Sequence, residues 1–154
     1  MIYKESKEDL LRQGLIKTCP VDWKAINNLM RRAYADLETA ERNLDDDPEC
    51  SYHCAYNGML RSGLALMLSE GLRPEIKDKH LTIVKFASSK IGDRFRKVIN
   101  DYDFMRRKRN RFIYEPDIPC SATEAENAIK TAKRFVEMIS QLIKKRKPQM
   151  ELDF

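Results

Sequence analysis

Residues 106–114 read RRKRNRFIY and place Arg106, Arg107, Lys108, Arg109 and Arg111 in one short run. The apolar residues around them are Phe95, Val98, Ile99, Tyr102, Met105, Phe112 and Ile113. They recur at the i, i+3, i+4, i+7 spacing of an amphipathic helix. Arg109 falls on the same face, between Met105 and Phe112, where a cation is costly unless it is paired or lies at a wet cleft. Arg107, Asn110, Arg111 and Tyr114 share a polar stripe on the flank. A guanidinium in an apolar stripe, next to an amide, a phenol and more arginines, has the donors of an anion or phosphate site. The same pattern fits a bundle helix whose Arg109 snorkels to solvent. Both readings stand at this level.

Other reactive residue types are more scattered. Cys50, His53 and Cys54 are spaced i, i+3, i+4, but zinc needs a fourth ligand, such as His80 or Cys120, and the sequence places neither nearby. Helical packing accounts for Cys54 and solvent exposure for His53, so no metal is expected. His80 reads as a residue at a helix start that can still reach the arginine helix across a bundle. Asp45–Asp47 reads as a solvated turn. The KKRK run at 144–147 complements the negative end of a helix dipole. There is no glycine-rich phosphate loop and no definable Ser/His/Asp arrangement, and no cofactor is expected.

The elements that must position these residues are helices. Ser6 to Ile16 reads as a short helix with Leu10, Leu11 and Leu15 inward. Asp22 is an N-cap for a helix over Trp23–Leu44. After Asp45-Asp46-Asp47-Pro48 a second long helix spans Glu49–Glu70, with Gly71 just past its end. A loop follows around Pro74, then a shorter helix over 80–88. The arginine helix runs from near Gly92 to before Pro116. Ser121 or Thr123 caps the last helix, each with a glutamate three residues on; it extends to about Lys147. Gly58 and Gly63 inside the second helix fit either a close approach of another helix or an undistinguished tolerance of glycine. No stretch alternates with period 2, so no strand is expected. The reading is an all-α, up-and-down four-helix bundle with additional short helices. It is a single domain over 1–154, with an N-terminal extension (1–21), a bundle (22–147) and a mobile tail (148–154).

A chain of 154 residues can bury a real core, and only 5 Gly and 6 Pro leave little for a turn-rich β fold. The net charge of +5 permits a nucleic-acid partner without requiring one. No apolar run approaches the roughly 20 residues that span a bilayer. MIYKESKEDLL lacks the apolar core of a secretory signal. The four cysteines form no CxxC pair and read as reduced thiols. A cytoplasmic location is expected.

The order of these elements resembles a HEPN domain (higher eukaryotes and prokaryotes nucleotide-binding). AYADLETAERNL resembles the first core helix of that family. AYNGMLRSGLALMLSEGLRP resembles the second, and HLTIVKFA the third, which often opens with a histidine like His80. RRKRNRFIYEP resembles the motif helix and ATEAENAIKTAKRFVEMISQLI the last. The resemblance implies a metal-independent ribonuclease whose motif is an arginine, usually a polar residue, and a histidine a few residues on. Arg109 matches the arginine and Asn110 the polar residue, but Tyr114 stands where histidine belongs. In a second register Arg107 is the arginine, with Phe112 at the histidine position and Tyr114 two beyond. Both lack the imidazole that exchanges protons near neutral pH.

By that resemblance Arg109, Asn110 and Tyr114 are the candidate catalytic residues, and Arg106, Arg107 and Arg111 the candidate RNA- or phosphate-binding ones. The expectation is an RNA-directed, toxin-like or defence-related ribonuclease relative with weakened or absent catalysis. The alternative is a non-catalytic homodimeric module that pairs with a minimal nucleotidyltransferase antitoxin, for which Tyr114 is a modification target. A homodimer is implied in either case.

Overall fold

The computed structural model describes residues 3–146 and 152–154. Helix α1 (Lys7–Arg12) is followed by strand β1 (Ile16–Thr18) and helices α2 (Trp23–Asn43) and α3 (Pro48–Ser69). Strand β2 (Leu72–Pro74) and helix α4 (Lys79–Ile91) come next. A 3₁₀ turn (Asp93–Phe95) leads into α5 (Arg96–Tyr114), and α6 (Ala122–Arg146) completes the bundle. The all-α bundle expected from periodicity is therefore present.

The caps explain the helix starts. The Asp22 carboxylate accepts from the backbone N–H groups of Lys24 and Ala25 at 3.1 Å. Pro48 opens α3 behind an Asp47 cap, where its missing N–H costs nothing. Ser121 and Glu124 form a reciprocal capping box at α6. Gly71, at φ +70°, ends α3 in the left-handed conformation.

Helix α3 is the spine, with α2, α6, α4 and α5 packed around it. Neighbours approach it closely at two glycines. A Cβ built on Gly58 meets the Ala33 carbonyl oxygen at 3.1 Å, and one on Gly63 meets Ile83 Cγ2 at 2.5 Å. Ile83 is fully buried, so it has nowhere to retreat. Overpacking costs about 1–3 kcal/mol, against roughly 1 kcal/mol of helix propensity gained. Gly63→Ala is expected to destabilise the fold by up to about 2 kcal/mol net. A urea midpoint equal to or above that of the wild type would contradict this.

Four expectations need correction. The first helix stops at Arg12, because Gly14 at φ +71° turns the chain; Leu10 is buried but Leu11 is exposed. Second, β1 and β2 pair antiparallel, with Lys17 opposite Arg73. Three-residue strands are too short to print a period-2 pattern. Third, Gly92 closes α4 at φ +79° instead of opening the arginine helix, which starts four residues later. Fourth, Ile113 turns to solvent, about 100° around the helix from the buried Phe112. In the expected mobile tail, residues 148–151 lie outside the described residues, as does Lys147. Leu152 and Phe154 pack on the core. The Asp153 backbone N–H donates to Asn27 Oδ1 at 3.0 Å. No helix among the described residues is long and apolar enough to cross a membrane.

Candidate functional site

Helices α3 and α5 meet through an antiparallel ladder of rings. Tyr52 and His53 pack edge-on against Phe112, with centroids 5.2 and 6.2 Å apart. One turn further along α3, Tyr56 lies under the Arg109 guanidinium, whose Cζ is 5.5 Å from the ring centroid. Tyr56 also packs edge-on against the fully buried Tyr102 at 5.9 Å. Helix α4 then delivers His80 in its first turn, and His80 Nδ1 shares a hydrogen bond with Tyr56 Oη at 2.9 Å. Arg109, Tyr56 and His80, from three helices, thus form one contiguous cluster.

The motif cations differ in how they are held. Arg106 Nε donates to Asp103 Oδ1 at 3.1 Å, and Arg107 Nε lies 3.4 Å from Asp103 Oδ2. Arg111 Nε donates to Glu115 at 3.0 Å, and Lys108 Nζ is 3.2 Å from Glu124. Among the described residues no carboxylate pairs with Arg109. Its Nη1 donates to Asn110 Oδ1 at 3.3 Å, while its Nε is buried with no hydrogen-bond partner. Arg109 is half-buried, and its unpartnered Nε is costly alone and becomes favourable when an anion reaches it.

Both histidines are shaped by this cation. Burial first, then Arg109, Lys79 and Arg106, hold His80 below the ordinary imidazole range. Burial and Arg109 do the same for His53, against an opposing pull from Glu49 and Asp47. Both rings are therefore neutral at pH 7. The positive end of α4 acts on His80 in the same direction, and its N-cap, Asp78, makes no side-chain cap bond. Burial pushes the Tyr56 phenol up to about 12 despite Arg109 and Arg106. It stays protonated and can either donate to Nδ1 or accept from it. In the first case Nε2 carries the proton and can only donate a hydrogen bond; in the second it presents a lone pair, and the ring can act as a base.

The sequence-predicted residues are not all brought together. Arg109 and Asn110 are adjacent in the cluster, and Arg106 bears on it electrostatically. Arg107 and Arg111 point outward into their own ion pairs. Tyr114 is 81% exposed and makes no hydrogen bond, ion pair or ring contact among the described residues. Sequence reasoning took Tyr56 for core and His53 for a solvated residue; His53 is half-buried against Phe112. Asp103 was missed, although its position at i−3 and i−4 from Arg106 and Arg107 is readable. Among the described residues no group of His, Cys, Asp and Glu could hold a metal ion.

The HEPN domain family model matches residues 26–143, from the first turn of α2 to the last turn of α6. Comparison with characterised proteins and with solved structures gave no match. The match takes in Tyr56, His80 and Arg109 together with all four long helices, and the chain belongs to the HEPN domain family.

Proposed function

We propose that this chain acts on RNA as a toxin-like or defence-related ribonuclease of modest rate. In this reading Arg109 holds the phosphodiester and His80 carries the proton. The observation behind it is a guanidinium with no carboxylate partner among the described residues, stacked on Tyr56, whose hydroxyl holds a neutral imidazole. His80 Nε2 takes the 2′-hydroxyl proton. O2′ then attacks phosphorus, the P–O5′ bond breaks, and O5′ takes that proton back from the His80 imidazolium. Charge building on the phosphorane faces Arg109. An imidazole held below its ordinary pKa is a weaker base, which limits the rate. The test is cleavage of end-labelled RNA with metals chelated. Products ending in 2′,3′-cyclic phosphate, retained in Tyr114→Phe, support the reading. An inert wild-type chain would remove the enzymatic half of it.

The outward arginines play a lesser part. Arg107 and Arg111 are already paired, so replacing both with Ala should weaken RNA binding less than tenfold. It should flatten the log–log salt dependence by less than the about 1.4 expected for two full contacts to a single strand. Unchanged affinity and slope would take them out of the interface.

The interaction-module reading has its own observation. Ile113 and Tyr114 expose 47% and 81% of their surfaces at the end of α5, an apolar end that a second copy or a nucleotidyltransferase would cover. Its discriminator is a dimeric mass at tens of micromolar, lost in Ile113→Glu, from a chain that does not cleave RNA.

A further inference from the structure

We infer that Tyr3, outside the family match, is a positioning residue that keeps the Arg106 guanidinium available to phosphate; the inference rests on the RNA reading above. Asp103 on α5 is only 3% exposed and takes three donors. Tyr3 Oη donates to Oδ1 at 2.8 Å, Arg106 Nε donates to the same oxygen at 3.1 Å, and Arg107 Nε approaches Oδ2 at 3.4 Å. Both arginines therefore meet the carboxylate through Nε, the inner nitrogen, so their outer nitrogens are not consumed by it.

A carboxylate left to two arginines draws them into forked, two-point pairing. The Tyr3 hydroxyl fills the lone-pair site that such a fork on Oδ1 would use. Burial and Asp103 both raise the Tyr3 pKa, so the phenol remains a donor. Arg106 is 18% exposed at its side chain and acts on both Tyr56 and His80. Its orientation therefore adds to the positive field that Arg109 leads at the cluster.

The segment carrying Tyr3 is held by polar ties. Ser88 Oγ donates to the Tyr3 carbonyl at 3.3 Å, and Lys85 pairs with Glu5 at 2.8 Å while lying 5.6 Å over the Tyr3 ring. A cavity of about 550 Å³ separates the segment from the α4–α5 junction at Ser89, Gly92 and Arg96. Loss of the Tyr3 hydroxyl thus alters the arginines without opening the core.

The experiment measures binding of a non-cleavable 2′-O-methyl RNA oligonucleotide against salt for wild type, Tyr3→Phe, Arg106→Ala and the double variant, with Arg109→Ala as a separate arm. The expected result for Tyr3→Phe is a three- to tenfold loss of affinity and a salt slope lower by about 0.7, one phosphate contact. The double variant should lose no more than Arg106→Ala. A purely structural tyrosine would lower the melting temperature and leave the slope unchanged, which would overturn the inference. Additive losses in the double variant would also overturn it. If Arg109→Ala binds RNA as well as wild type, the RNA reading itself fails. If Arg109→Ala is impaired and Tyr3→Phe is not, this inference alone fails.

Discussion

Replacing His80 with Ala is expected to lower RNA cleavage about 10²–10³-fold, within the range for a lost acid–base group. RNA affinity should stay within about threefold, because the phosphate-holding cation is untouched. The base must be neutral, and His80 is held below its ordinary pKa by burial and by Arg109, Lys79 and Arg106. Cleavage should therefore be fully present at pH 7 and fall as the pH drops through a midpoint below 6.5, the ordinary value. The groups facing His80 are Tyr56 from α3, Lys79 from its own helix, and Arg106 and Arg109 from α5. Tyr56→Phe removes the hydrogen bond at Nδ1 and should cost about tenfold, through a ring no longer held in orientation. Rates at saturating RNA over pH 4.5–8 check this, and a His80→Ala rate within threefold of wild type would contradict it.

Arg109→Ala is expected to reduce cleavage about 10²–10³-fold, as for the loss of one transition-state donor, and RNA affinity about tenfold. It should do so with little harm to the fold. Among the described residues no carboxylate pairs with Arg109, so its removal strands no buried anion, and it eliminates a buried Nε with no partner. Unfolding free energy should change by no more than about 1 kcal/mol. Arg109→Lys should not restore activity, because an ammonium offers no planar fork to a phosphate and cannot lie flat on Tyr56 in the same way. Arg106→Ala makes a useful contrast. It removes a partner of the buried Asp103, so its effects on binding and stability should fall together. Cleavage by Arg109→Ala at the wild-type rate would place the reaction elsewhere on the molecule.

Much of this frame was legible in the sequence because it depends on local rules. The 3.6 period placed Met105, Arg109 and Phe112 on one face, and that arginine does lie against the bundle. Caps at Asp22 and Ser121 and the break at Gly71 were readable from residue type. Gly63 left open a close neighbour or mere tolerance, and the fold supplies the neighbour, Ile83. The partners of Arg109 were not legible. Tyr56 has the spacing of a core residue and is one; only the fold shows that its hydroxyl ends against His80, 24 positions away. His53 looked solvated because no local pattern says that Phe112 will cover it. Tyr114 took the motif's histidine position by alignment along the chain. Five residues of helix turn it about 140° from Arg109, and it ends in solvent. The Tyr3–Asp103 bond spans 100 positions and has no sequence signature.

The most direct measurement uses the fact that the chain contains only two histidines, so its NMR spectrum has two imidazole Hε1 lines. Each is assigned with His53→Gln and His80→Gln and titrated with pH, alone and with a saturating 2′-O-methyl RNA oligonucleotide. In the free protein both should titrate below 6.5, and in Arg109→Ala both should rise. Bound RNA should raise the His80 value, because a phosphate beside the ring favours the imidazolium. A His80 line that titrates normally, ignores Arg109→Ala and does not move with RNA would contradict the assignment of this cluster as the RNA site.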